Sequence, residues 1–266
     1  MSNFDEKIIE RLKRLEREVE RLRVKESPDM SSYLGITAKA ADSAKLGGVN
    51  ASDLLSGWIP ASGWKIYQTN WVNNVTGAQT NFSIGDKIKL TNGGSTKYFY
   101  VVSAPTPDSL KLVGDTTVGA AGTALTNIYY SHATSPVGFP QWFDYTPILT
   151  VSGGTAPTYS EFVNRYCMVG KMVTVTGHWY NTSGGTAGAG TNPIITTLPI
   201  TAADRDYFTG SGFMYQVGGL TTGIFIYMNS TTQAGFNQIT MGAYIAGNDQ
   251  SNATRYLSAT FTYEAA

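Results

Sequence analysis

The sequence contains a single cysteine, Cys167, and only two histidines, His132 and His178. One cysteine excludes an intrachain disulfide and a multi-cysteine zinc site. Its neighbours Tyr166 and Met168 are apolar, and this predicts a buried thiol that packs as a small hydrophobic side chain. The sequence also lacks the HExxH, P-loop and GxSxG motifs of common catalytic sites. We therefore expect no enzymatic activity, no metal site and no cofactor.

Acidic residues that could act in pairs are scarce in the second half of the chain. Glycoside hydrolysis requires two convergent carboxylates, and the close acidic pair there is Asp204 and Asp206 on either side of Arg205. Such a pair is typical of a solvated turn or a helix start, with cation binding as a lesser alternative. A polysaccharide depolymerase is the enzymatic alternative. In that case, neutralising Asp204 or Asp206 would abolish its activity.

The chain has neither a net charge nor a long apolar run. Nineteen basic residues balance nineteen acidic ones, so no global positive field exists to attract nucleic acid. No run reaches the roughly 18 apolar residues that a membrane helix needs, and the first residues lack the pattern of a signal peptide. We expect no nucleic-acid partner and no membrane insertion. We also expect the protein to be synthesised in a cytoplasm.

Charge is concentrated at the start of the sequence, where fifteen of the charged residues precede Ser27. The apolar residues of this segment follow one another at spacings of four, three, four and three, which is a heptad pattern. They are Ile8, Leu12, Leu15, Val19 and Leu22. Residues 1–27 are therefore predicted to form a self-associating coiled coil. A single amphipathic helix packed on its own domain is the alternative, but the apolar stripe is narrow for that role. The heptads alone do not distinguish a dimer from a trimer.

Residues 28–57 are predicted to form a linker or shaft because their few apolar residues cannot bury a core. The run from Ala41 to Leu55 places Leu-Gly-Gly before Ala-Ser-Asp. It resembles a segment that recurs in the tail fibres of tailed phages. In that family the segment lies in a trimeric shaft between a coiled coil and a distal domain, and the resemblance implies a homotrimer. The alternative is a flexible Ala/Gly/Ser linker.

Residues 58–142 alternate short apolar runs with turn residues, which predicts a small antiparallel β-barrel or β-sandwich. Ile88 and Leu90 share one side of a strand, and Lys87 and Lys89 share the other. The segment 92–94, Asn-Gly-Gly, suits a hairpin turn. This module resembles one found between shaft and tip in phage structural proteins. The proline-rich and glycine-rich residues 135–147 predict a domain junction.

Residues 143–266 are predicted to form a C-terminal antiparallel β-sandwich. In the last strand Leu257, Ala259, Phe261 and Tyr263 share one face, which should pack, while the opposite face meets solvent or a partner. The layout resembles the C-terminal jelly-roll heads of phage fibres and receptor-binding proteins. The predicted strands are Met172–Tyr180, Gly223–Met228, Ile239–Ile245 and Arg255–Tyr263.

The chain as a whole is therefore expected to be mainly β, with a short α-helical trimeric coiled coil at its N-terminus.

Sixteen Tyr, five Trp and eleven Phe among few charges favour stacking on sugar faces. A core or subunit-interface role is the competing interpretation for each aromatic residue. His178 is predicted to be structural. The candidate ligand-binding residues are Trp179, Tyr180, Tyr215, Tyr227, Tyr244 and Tyr256.

These features predict a virion fibre or spike protein that attaches to a host surface glycan or protein. Its expected partners are two further copies of itself and other virion proteins, the latter bound through the N-terminus. A structural virion component without receptor binding, such as a head fibre, collar or tail decoration, is the alternative. A phage-derived tail of a bacterial injection or bacteriocin system would use the same modules.

Overall fold

The structure is a computed structural model, and it divides into two units, Met1–Leu54 and Leu55–Ala266. Several short segments lie outside the part that it describes. The described residues are 3–26, 45–46, 49–50, 55–114, 116–119, 122–181, 187–204, 208–216, 221–238, 245–246 and 254–266.

The first unit contains one long helix, α1 (Asn3–Glu26), followed by a hairpin of β1 (Lys45–Leu46) and β2 (Val49–Asn50). The predicted helix is thus confirmed. Its residues Ile8, Leu12, Leu15 and Val19 are 44–57% exposed, and the side chain of Leu22 lies outside the described residues. Whether copies of the helix associate stays a prediction. Most of the predicted linker 28–57 also lies outside the described residues.

The second unit is mainly β, as predicted, and is built from two antiparallel sheets. The first sheet has the strand order β3-β9-β6-β7-β8-β5-β4. Its strands are β3 (Ile59–Ala61), β4 (Lys65–Gln68), β5 (Trp71–Asn73), β6 (Lys87–Asn92), β7 (Ser95–Thr106), β8 (Ser109–Val113) and β9 (Thr126–Ser131), and a one-turn helix, α2 (Ala78–Asn81), precedes β6.

The hairpin between β6 and β7 has the predicted turn. Asn92 pairs with Ser95, so that Gly93 and Gly94 form a two-residue loop. Both glycines have positive φ, 63° and 80°, which is the backbone of a type I′ turn that matches the twist of the strands.

The second sheet has nine strands in the order β10-β12-β13-β18-β15-β16-β17-β14-β11. The predicted strands in β13, β16 and β18 are confirmed, whereas Ile239–Ile245 lies outside the described residues except for Ile245. The strands are β10 (Phe143–Asp144), β11 (Leu149–Val151), β12 (Glu161–Val169), β13 (Met172–Asn181), β14 (Ile194–Thr197), β15 (Phe208–Gln216), β16 (Thr221–Ser230), β17 (Gln233–Gln238) and β18 (Arg255–Glu264).

This second sheet curls around its own hydrophobic core. Trp179 of β13 contacts Phe236 of β17 edge to face, with ring centroids 6.1 Å apart, although three strands separate β13 from β17 in the sheet order. Leu257, Ala259, Phe261 and Tyr263 are buried while their neighbours along β18 are partly or fully exposed. The predicted packing face of the last strand is therefore confirmed.

The two sheets share aromatic side chains. Along β7, Phe99 packs into the core of the first sheet and Tyr100 into the core of the second, because successive residues of a strand point to opposite faces. The ring centroid of Tyr100 lies 5.1 Å from those of Phe139 and Phe143, and Phe143 stacks on Tyr166 at 5.7 Å. The predicted junction 135–147 thus supplies two rings that bind the sheets together.

The lysine side of β6 is covered rather than open to solvent. Lys87 is 3% exposed, and this burial lowers its pKa, an effect that the neighbouring carboxylate of Asp86 opposes. The ammonium group of Lys89 lies 4.7 Å from the ring centroid of Trp58 and 4.3 Å from that of Tyr129, in cation–π geometry. Both lysine side chains therefore take part in packing.

Candidate functional site

The alternate residues of β12, β13, β18 and β15 that point away from the shared core form a surface, here called the outer face. Strand register places Tyr180 directly opposite Tyr256, and Tyr256 directly opposite Tyr215. Three of the predicted ligand-binding residues therefore stand in one row across three neighbouring strands. Directly opposite residues on adjacent antiparallel strands lie close enough for their side chains to touch.

Tyr256 is the centre of an aromatic group on this face. Its ring centroid lies 4.8 Å from His178, 5.4 Å from Tyr180 and 6.4 Å from Phe213, each at a steep interplanar angle. Phe213 and Tyr215 are 43% and 37% exposed. We call His178, Tyr180, Phe213, Tyr215 and Tyr256 the aromatic cluster.

A row of hydroxyl groups continues along the same face from the aromatic cluster. The hydroxyl groups of Thr174 and Thr262 are 3.2 Å apart, and Thr260 donates to Thr176 at 3.3 Å. Ser258 stands between His178 and Phe213 in the register. The face thus combines flat apolar rings with neutral hydrogen-bonding groups.

The other predicted ligand-binding residues lie elsewhere. Trp179 faces the opposite way from Tyr180 and is 3% exposed, so it packs in the core. Tyr227 covers Gly235 of β17, since a Cβ atom on that glycine would fall 2.2 Å from the tyrosine ring. Tyr244 lies outside the described residues.

Two members of the cluster are not among the ligand-binding residues predicted from the sequence. His178 is predicted from the sequence to be structural, and Phe213 is not among the candidates although Tyr215 of the same strand is. Residues two positions apart in a strand lie on the same face of the sheet. His178 precedes Tyr180 by two residues and Phe213 precedes Tyr215 by two, so this alternation could have indicated both. What the sequence did not contain was the pairing of β15 and β13 on either side of β18.

In the described part of the chain, no three His, Cys, Asp or Glu residues are placed to hold a metal ion. Asp204 is exposed and Asp206 lies outside the described residues. His132 is held by Asp86, with Nδ1 and Oδ2 2.8 Å apart, and the same oxygen accepts from the backbone N–H of Ser83. This arrangement closes a loop of the first sheet.

Cys167 departs from its predicted burial in the core. It is only partly buried, because Tyr166 and Met168 point inward and the residue between them must point to the outer face. Desolvation raises the pKa of its thiol, against the effect of hydrogen bonding to Thr174. The side chain is therefore a weakly reactive part of the outer face.

Within the ranges described above, no helix has the combination of length and apolar character that crossing a membrane requires. No family model, curated protein or solved structure matches the chain significantly.

Proposed function

We propose that the chain is a homotrimeric virion fibre or spike protein that attaches to the host cell surface through its C-terminal sheet. The aromatic cluster binds a host surface glycan. In this proposal the N-terminal heptads form a trimeric coiled coil that joins other virion proteins, and the C-terminal sheet is a jelly-roll head. The protein acts by binding and carries out no catalysis.

The observation that supports glycan binding is the position of Tyr256 among three other rings on an exposed face. Aromatic rings are rigid, so little side-chain entropy is lost when a ligand stacks on them. Their faces complement the C–H faces of pyranose rings, while neighbouring hydroxyl groups can exchange hydrogen bonds with sugar hydroxyls. Ser258 and the threonine row lie where such bonds would form.

Assembly is supported by the exposed apolar positions of α1. A 24-residue helix with four such side chains in heptad spacing is stabilised when copies bury these side chains together. Three copies would also present three aromatic clusters on one particle appendage. Several weak sites acting together increase the apparent affinity for a surface that carries many glycans.

The test compares Tyr256→Ala with Tyr67→Ala, which removes a 57% exposed tyrosine from the first sheet. Both full-length variants are applied to host cells and to an array of surface glycans. Tyr256→Ala is expected to lower binding at least about tenfold, while Tyr67→Ala leaves it unchanged. Equal binding by both variants, at unchanged melting temperatures, would refute attachment through the aromatic cluster.

A structural virion component without receptor binding is the second candidate. The outer face also carries Val169 and Met172, which are about half exposed beside the turn between β12 and β13, at the end of the sheet away from Tyr256. Apolar side chains in this position suit contact with another protein subunit. Under this alternative, Val169→Lys would disrupt incorporation into particles while Tyr256→Ala would have no effect on infection.

A further inference from the structure

A cavity of about 220 Å³ lies on the side of β12 and β13 that faces away from the aromatic cluster. Its wall is formed by these two strands and by the segment 146–159. None of the lining residues carries a charge. They include Tyr159, Phe162, Asn164 and Trp179.

The polar feature of this cavity is the side chain of Asn164. It is 3% exposed, and within the described part of the chain neither Nδ2 nor Oδ1 has a hydrogen-bond partner. A buried amide without partners is costly and rare in native proteins. An amide that can both donate and accept is, however, what a ligand with neighbouring hydroxyl groups requires.

The backbone places a large aromatic ring beside this amide. Asn164 pairs with Gly177 in the ladder, and a Cβ atom on Gly177 would lie 2.3 Å from the ring of Trp179 and 2.9 Å from Asn164 Oδ1. The indole ring and the amide therefore meet over the position where Gly177 has no side chain. This glycine makes room for both groups.

Two further rings complete the walls. Phe162 pairs with Trp179 across the ladder and is 52% exposed, so it forms the mouth of the cavity. Tyr159 is held by Arg255, whose guanidinium carbon lies 5.4 Å from the ring centroid. Arg255 also donates from Nη2 to the carbonyl oxygen of Thr158. The segment that closes the cavity is thereby fixed to β18.

We propose that this cavity binds one neutral sugar ring, which packs against Phe162 and Trp179 and exchanges hydrogen bonds with the Asn164 amide. The uncharged lining disfavours anionic or cationic ligands, which would lose their hydration without a compensating partner. The volume lies below the roughly 300–1,000 Å³ of sites for larger ligands and therefore selects a single ring. This site uses different residues from the aromatic cluster, so each can fail independently.

The test uses the full chain with glucose, galactose and N-acetylglucosamine as probes, titrated to about 50 mM because single-ring affinities are weak. Ligand-observed saturation-transfer NMR and the indole fluorescence are the readouts. We expect saturable binding of at least one of the three sugars by the native chain. Absence of binding by all three would overturn the proposal.

Variants locate the site. Asn164→Leu removes the amide while keeping its approximate volume, so it is expected to retain or raise the melting temperature and to abolish the sugar-dependent change in the fluorescence of Trp179, which lines this cavity and not the aromatic cluster. Phe162→Ala should weaken binding about tenfold. Phe225→Ala, which removes another exposed ring from β16, should leave the fluorescence change intact. A fluorescence change that survives Asn164→Leu, or that is lost in Phe225→Ala, would overturn the assignment to this cavity.

Discussion

The hydroxyl group of Tyr263 bonds to both backbone groups of Ile200: it donates to the carbonyl oxygen at 2.8 Å and accepts from the N–H at 3.3 Å. The two residues are separated by 63 positions in sequence. This double contact ties the segment between β14 and β15 to the last strand. It satisfies two backbone groups that no ladder satisfies.

Replacing Tyr263 by Phe is therefore expected to lower the free energy of unfolding by about 1–3 kcal/mol, because buried backbone groups lose their partner. Urea denaturation followed by fluorescence measures the change. Tyr145→Phe is the matched control, since Tyr145 Oη is buried and has no partner in the described part of the structure. That variant should be neutral or slightly stabilising, and an equal loss in both would contradict the role of the Ile200 contact.

Stability is expected to fall at alkaline pH. Burial raises the pKa of Tyr100 to about 12 and raises the pKa values of Tyr145, Tyr159 and Tyr263 as well. Above a pH of about 10 the unfolded tyrosines lose protons that the folded ones keep, so deprotonation favours unfolding. The stabilisation is full below pH 10 and declines above it by up to about 1.4 kcal/mol per pH unit for each tyrosine.

Melting temperatures between pH 8 and 11.5, with tyrosinate absorbance recorded in parallel, measure this effect. Tyr145→Phe should reduce the slope above pH 10 and leave the melting temperature at pH 8 nearly unchanged. An equal slope in the variant and the native chain would show that Tyr145 has the same pKa in the folded and unfolded states.

Gly85→Ala is expected to be among the more damaging glycine substitutions in the chain. Gly85 has φ of 92°, and a Cβ atom there would lie 2.1 Å from the carbonyl oxygen of Gly170 in the turn between β12 and β13. The backbones of the two sheets would have to separate. Gly93→Ala is the control, since Gly93 also has positive φ but nothing lies within 4 Å of its Cβ position.

The control should cost only the strain of a left-handed alanine, about 1 kcal/mol, and Gly85→Ala clearly more. Equal melting temperatures for the two variants would argue against close contact between the backbones at this point.

Phe143→Ala tests whether the two sheets unfold together. The ring of Phe143 touches Tyr100 of the first sheet and Tyr166 of the second, so its removal should cost about 3–5 kcal/mol. In the Phe143→Ala variant, residues 55–266 are expected to unfold in a single calorimetric transition at a lower temperature than in the native chain. Two separate transitions in the native chain would contradict a shared core.

Leu15→Lys should dissociate the proposed trimer, because a charge at the centre of the heptad pattern cannot be buried between helices. Mass by light scattering on the full chain is the measurement. Arg17→Ala, on the same exposed helix, is the control and should keep the mass of the native chain. A monomeric native chain would remove the basis for the coiled coil.

Local chemistry made part of the fold predictable. The heptad residues gave the helix, Gly93 and Gly94 gave a turn, and the alternation in β18 identified its packed side. Non-local pairing was not predictable, because nothing near Phe213 in sequence indicates that β15 joins β18. The orientation of Trp179 was predictable, because two neighbouring residues of one strand point to opposite faces of the sheet. Trp179 and Tyr180 therefore could not both belong to one ligand-binding face.

Trp58 lies at the entrance to the second unit, where Val137 holds it: the indole N–H donates to the carbonyl oxygen of Val137 at 2.8 Å, and the Val137 N–H donates to Ser56 at 2.9 Å. Tension applied to the chain at residue 55 would therefore meet this clamp before it reached β3. The force would act first on the aromatic side chains that both sheets share, which Trp58 contacts through Phe139. It would not begin by detaching the edge strand β3. We expect a chain anchored in this way to resist pulling through the slow unfolding of residues 55–266 as a whole.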